Sequence, residues 1–139
     1  MIDRVLVPMD ESEMAGKALE YALEVHDGAE ITVLYVAGQP SAMMGQAVRM
    51  ALETDLSDAA NEAAKAVFED AREMAADYDV TLQTEVTLGS PAAQIIEHAG
   101  DHDAVVMGSH SSNLRETLFT GNIAEKVSTG APVPVTLVR

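Results

Sequence analysis

Asp3-Arg4-Val5-Leu6-Val7-Pro8-Met9-Asp10-Glu11-Ser12 is a short apolar run closed by turn-forming polar residues. A run of this length without polar alternation reads as a strand covered on both faces, the kind found inside a parallel sheet. From Ser12 to about His26 the spacing becomes helical, with Met14, Ala18, Tyr21, Ala22 and Val25 along one face and Lys17, Glu20 and Glu24 away from it. Asp10, with Glu13 three residues on, or Ser12 can cap this helix, and Asp27-Gly28 ends it. Glu30 to Val36, rich in β-branched residues, follows as a second buried strand.

The alternation continues to the end of the chain. Residues 37 to 45 hold two Gly, one Pro and two Met (Met43 and Met44) and read as a mobile loop whose methionines pack against a ligand or a neighbour. Gln46 to Asp77 is Ala-rich and helical, with an interruption expected near Thr54-Asp55-Leu56-Ser57, where cap-forming residues cluster. Its later apolar stripe is Ala60, Ala63, Ala64, Val67, Ala71, Met74 and Ala75. Val80 to Leu88 alternates Val80, Leu82, Thr84, Val86 and Leu88 with polar residues, which suits a sheet edge with one wetter face. Gly89-Ser90-Pro91 starts a short helix carrying Ala92, Ile95, Ile96 and Ala99, with Ser as N-cap and Pro at the first helical position. Ala104 to Gly108 is a fourth strand, Asn122 starts another helix, and Val133 to Val138 is a fifth strand. Strands alternating with helices in this way give a parallel α/β sheet with right-handed crossovers.

The 139 residues form one domain, and at 47% hydrophobic content they bury a core without staples. With no cysteine there is no disulfide, thiolate nucleophile or thiolate metal site. No signal-like N-terminus or apolar run of membrane length occurs, so a soluble, cytoplasmic protein is expected. A net charge of -15 disfavours nucleic-acid and membrane partners. The charge is uneven: residues 1–103 carry 21 acidic and 5 basic side chains, whereas 104–139 carry Arg115, Lys126 and Arg139 against Glu116 and Glu125. The last quarter is where an anion is not repelled, or where charge has been lost to burial or an interface. Acid excess with only three lysines also suits high salt, where a Debye length of about 3 Å at 1 M screens self-repulsion.

Ligands of open α/β sheets bind outside the carboxyl ends of the strands, where strand order reverses. Here the richest such segment is Gly108-Ser109-His110-Ser111-Ser112-Asn113-Leu114-Arg115, followed by Gly121-Asn122 at a helix start. Backbone N–H groups freed by small residues, with the positive end of a helix, suit an anion. Asn122 with Glu125 also forms a capping box, which explains both residues without a ligand. His98, Asp101, His102 and Asp103 crowd one loop at the opposite end of the sheet and read as a solvated turn, so no metal site is assigned. Asp10, Ser109, His110 and Ser111 hold the elements of a hydrolytic triad but lack the nucleophile elbow, and no catalytic residue is assigned. Dinucleotide and P-loop glycine motifs are absent.

Val5-Leu6-Val7-Pro8-Met9-Asp10-Glu11-Ser12, Val105-Val106-Met107-Gly108-Ser109-His110, Gly121 to Val127 and Ala131-Pro132-Val133-Pro134-Val135 together resemble the universal stress protein family over nearly the whole chain. The expected architecture is a three-layer α/β/α sandwich with five parallel strands in the order 3-2-1-4-5. ATP-binding members look like Gly, two residues, Gly, nine residues, Gly, then Ser or Thr; this chain keeps the spacing as Gly108, Ser111, Gly121 and Asn122. Ser111 brings a Cβ where the family has glycine, and Asn122 brings an amide that can still donate to a phosphate oxygen. The resemblance implies a site with Pro8, Met9, Val36 and Met107 around the base and Asp10 at the ribose or adenine. Gly108, His110, Ser111, Gly121, Asn122 and Ile123 would lie near the phosphates of ATP and its Mg²⁺. It also implies a homodimer joined through the last strand, and Val133, Val135 and Leu137 suit such an edge. Two readings stand side by side: a stress-response regulator that binds an adenine nucleotide and at most hydrolyses it slowly, and a nucleotide-free relative acting through dimerisation and unidentified protein partners.

Overall fold

The computed structural model describes residues 2–37, 46–109 and 123–139. Five parallel strands form one sheet in the order β3-β2-β1-β4-β5, where β1 is Arg4–Pro8, β2 Glu30–Ala37, β3 Thr81–Leu88, β4 Ala104–Gly108 and β5 Val135–Val138. The helices are α1 (Glu13–Val25), α2 (Gln46–Ala75), α3 (Pro91–Ala99) and α4 (residues 123–130).

The period of two along each strand divides the core. Val5, Val7, Ile31, Val33 and Val106 point to one face, where they meet Ala15, Ala18, Leu19, Ala22 and Leu23 of α1 and Ala64, Val67, Phe68, Ala71 and Ala75 of α2. Leu6, Leu34, Val105 and Met107 point to the other, against Ala92, Ile95 and Ala99 of α3 and Ala124 and Val127 of α4. Helices therefore cover both faces, which is why β1 and β4 read as unbroken apolar runs.

Several local expectations change. Ser12, not Asp10, caps α1: its Oγ accepts from the Ala15 N–H at 3.2 Å, and Asp10 Oδ1 accepts from the Ser12 N–H at 2.8 Å. The buried face of α1 is rotated toward Ala15, Leu19 and Leu23, leaving Tyr21 at 38% and Val25 at 54% exposure. The α1 turn closes at Gly28 with φ +86°, a conformation that glycine adopts without a Cβ clash. α2 runs unbroken across Thr54-Asp55-Leu56-Ser57. Each weak helix former there costs at most about 0.7 kcal/mol, less than surrendering the hydrogen bonds of a full turn. Ala37 closes β2 and does not open the loop assigned to 37–45, whose residues 38–45 lie outside the described residues, and the side chain of Ala60 is likewise not described.

The edges of the sheet also differ in detail. Val86 is exposed and Thr87 half-buried, because the Thr87 hydroxyl turns toward α3 and donates to Gln94 Oε1 at 2.8 Å. Ser90 stands at the N-cap of α3 without a side-chain hydrogen bond, and Pro91 occupies the first turn. β5 begins at Val135 and not at Val133, since Pro134 has no N–H for the ladder and contributes only its carbonyl, which accepts from the Val105 N–H at 2.9 Å.

Candidate functional site

The order in which the chain visits the parallel strands reverses between β1 and β4. β1 pairs with β2 along five residues, Arg4↔Glu30 to Pro8↔Leu34, but with β4 only at Val5↔Ala104 and Leu6↔Val105. Beyond Leu6 the two central strands part, and Pro8 has no N–H with which to continue the ladder. The opening leads into a cleft of about 300 Å³ at the carboxyl ends of β1, β2 and β4.

Pro8, Met9, Leu34, Val36, Met107 and Ile123 give its described walls an apolar lining, joined by Pro91 and Ile95 from α3. Asp10, Glu11 and Ser12 form a polar rim where β1 turns into α1. That rim is held on both sides. Asp10 accepts the Ser12 N–H as above, and the Tyr35 hydroxyl, at the end of β2, donates to Glu11 Oε1 at 2.9 Å. The Met9 N–H donates to the Leu34 carbonyl at 2.9 Å, fixing the β1 exit against β2. No lysine, arginine or histidine stands among the described lining residues, so this part of the cleft suits a flat apolar group with hydroxyls at its rim.

Gly108 is half-buried behind Met14, and a Cβ built on it would lie 2.5 Å from Met14 Cγ and 3.3 Å from the Met14 carbonyl oxygen. The first turn of α1 therefore presses on the end of β4 where any other residue would collide. Packing alone is enough to require glycine here, whatever else this position does.

Seven residues singled out from the sequence, Pro8, Met9, Asp10, Val36, Met107, Gly108 and Ile123, meet in this cleft. His110, Ser111, Gly121 and Asn122 lie outside the described residues. Glu11, Tyr35, Met14, Pro91 and Ile95 also line it and were not singled out as site residues. Glu11 directly follows Asp10, and Tyr35 ends an otherwise aliphatic strand at its carboxyl end; both cues are visible in the sequence. Met14, Pro91 and Ile95 are helix residues whose part depends on how α1 and α3 lean over the sheet.

The polar loop at the opposite end is engaged structurally. The Asp103 carboxylate accepts the N–H groups of Asp3 and Arg4 at 2.9 and 3.0 Å, and these bonds hold its carboxyl below the ordinary aspartate range. His98 Nδ1 donates to the Gln94 carbonyl at 2.8 Å while Nε2 lies 3.3 Å from Glu85 Oε2, and His102 Nδ1 donates to the His98 carbonyl at 2.8 Å. Partial burial and then the carboxylates of Glu24, Glu20 and Asp77 push the Tyr78 phenol up, a local sign of the acidic surface.

The molecule is thus a doubly wound α/β protein with a crevice at its topological switch point. It belongs to the universal stress protein family, whose model matches residues 1–139. Universal stress protein YxiE of Bacillus subtilis is 29% identical over 150 residues, covering 100% of both chains. Universal stress protein UspA from Lactobacillus plantarum superposes with a TM-score of 0.85 at 28% identity, covering 99% of this chain and 98% of that one. The fold is also shared with a universal stress protein solved in complex with cAMP (TM-score 0.72, 20% identity, covering 99% and 97%). It is shared too with the Archaeoglobus fulgidus protein in complex with dAMP (0.63, 17%, covering 100% and 98%). Among the described residues no helix is long and apolar enough to cross a membrane.

Proposed function

We infer that the protein is a stress-response regulator whose cleft holds an adenine nucleotide, with ATP and its Mg²⁺ as the leading ligand. The carrying observation is the cleft itself, because an apolar slot with a carboxylate rim opens where β1 and β4 part. Met9, Val36 and Met107 suit the faces and edge of a base, and Asp10, whose Oδ1 is occupied by the Ser12 N–H, offers its second oxygen to a ribose hydroxyl. That relatives of the same fold hold cAMP and dAMP supports this choice of ligand. The described walls fit the nucleoside. Holding the phosphates falls to His110, Ser111, Gly121 and Asn122, and the Mg²⁺ would travel with those phosphates. We assign no general base, so any hydrolysis is slow and the bound state is the signal.

A second reading has its own support. Gly108 is explained by Met14, and Ser111 and Asn122 replace two residues of the family's ATP motif, as a nucleotide-free dimer acting on protein partners would allow. Isothermal titration with Mg-ATP and with AMP, at low and molar KCl, separates the two. Saturable binding by the wild type supports the nucleotide reading. No heat from the wild type at either salt, with binding by a Ser111→Gly/Asn122→Ser variant, would refute it.

A further inference from the structure

The chain has eight methionines and no cysteine, so its only sulfur chemistry is that of thioethers. Three of them come from separate segments to the walls of one cleft: Met9 after β1, Met14 in the first turn of α1, and Met107 near the end of β4. They are 9%, 8% and 6% exposed. Met9 belongs to the core on one face of the sheet and Met107 to the core on the other, so the cleft floor is where the two cores meet. Met14 is the residue that presses on Gly108.

We propose that these three thioethers form an oxidation site at which a hydroperoxide remodels the cleft. The reaction needs nothing else from the protein. A sulfur lone pair attacks the distal oxygen of ROOH; the S–O bond forms as the O–O bond breaks, sulfur is oxidised by two electrons, and the peroxide proton leaves with the departing oxygen as ROH. The cleft has room for the oxidant, because 300 Å³ is about ten times the volume of a water molecule and hydrogen peroxide is little larger than water.

The consequence follows from the packing. A sulfoxide is polar, and beside Pro8, Leu34, Val36 and Ile95 its oxygen faces apolar carbon, the side-chain donors among the described lining residues being the Ser12 and Tyr35 hydroxyls at the rim. Met14 also packs closely on Gly108, its Cγ lying 2.5 Å from where a Cβ on that residue would stand, so a bulkier, polar side chain at Met14 bears on both α1 and β4. Repacking of the oxidised Met14 is expected to reach the first turn of α1, which carries the Asp10-Glu11-Ser12 rim, and the end of β4. Oxidation thus alters both sides of the cleft. The predicted loss of ligand rests on the nucleotide reading above; the modification and the movement do not.

The test treats folded, ¹³C-methyl-methionine-labelled protein with hydrogen peroxide at fixed KCl, followed by NMR and by peptide mass mapping. Met9, Met14 and Met107 are expected to gain one oxygen each while the protein stays folded, with shifts in the amide signals of Ser12 and Gly108. AMP should slow these three reactions and not that of Met74, and the oxidised protein should bind AMP at least about tenfold more weakly. Three sulfurs unmodified until global unfolding, or oxidised without movement at Ser12 and Gly108, would overturn the proposal. If fresh protein binds no AMP, the nucleotide reading fails while the mapping and the amide shifts still decide this one. Met9→Leu, Met14→Leu and Met107→Leu, singly and together, remove the sulfurs at nearly constant volume. Each variant, compared with its own untreated form, should lose its share of the peroxide response; an undiminished response would count against the site.

Discussion

Replacing Gly108 by Ala separates a packing role from a phosphate-cradling role at the same residue. The added Cβ would sit 2.5 Å from Met14 Cγ and 3.3 Å from the Met14 Cβ and carbonyl oxygen. Real carbon pairs need about 3.5–4.0 Å, so α1 or β4 must shift by roughly an ångström. Overpacking of this kind costs about 1–3 kcal/mol. With an unfolding entropy of about 2.1 cal/mol/K per residue, the 139-residue domain loses about 3–10 °C of Tm. Differential scanning calorimetry at fixed protein and KCl concentration reads this directly. Met14→Ala removes the Cγ, so in that background Gly108→Ala should cost less, giving a coupling of about 1–2 kcal/mol in a double-mutant cycle. Strictly additive losses, or a Gly108→Ala variant with unchanged Tm, would refute the packing argument and leave ligand contact as the reason for the glycine.

Other expectations follow from the same geometry. Asp103 has a lowered carboxyl pKa because it accepts two backbone N–H groups, so its stabilisation is present above the ordinary aspartate value and is lost as pH falls through the lowered one. Asp103→Asn should therefore lower Tm most near pH 7, with the gap to wild type closing below about pH 4; a gap constant across that range would exclude the ionic contribution. Leu137→Asp places a charge on the exposed side of β5 and should give monomers in sedimentation velocity if that edge joins two copies; unchanged dimers would remove the edge model. Tm should rise steeply with KCl, because 23 carboxylates face only 8 lysines and arginines, and a flat response would remove the high-salt adaptation.

The identity of β1, β2 and β4 was legible in the sequence because these strands are covered on both faces and so carry unmixed apolar runs, whereas their order in the sheet was an expectation from the family resemblance. The site's floor was legible for the same reason: Pro8, Met9, Val36 and Met107 end those runs at one edge of the sheet. What the sequence concealed depended on tertiary contacts. Whether Tyr21 and Val25 are buried turns on a rotation of α1 by a fraction of a turn, which Leu19 and Leu23 decide by packing against the sheet. Cap-forming residues at 54–57 are weak signals that a long Ala-rich helix overrides. Gly108 presents itself in the sequence as the first glycine of a phosphate motif, and only the approach of Met14 reveals a second reason for it.

On the proposed reading, the cleft between the carboxyl ends of β1 and β4 receives an adenine nucleotide. Methionine-methyl NMR during an AMP or Mg-ATP titration tests it most directly, because Met9, Met14 and Met107 line the cleft while Met74 packs against the α1/α2 face of the core. Saturable shifts at the three cleft methyls with Met74 unmoved are predicted. No shift at saturating nucleotide, or shifts confined to methyls outside the cleft, would contradict the account.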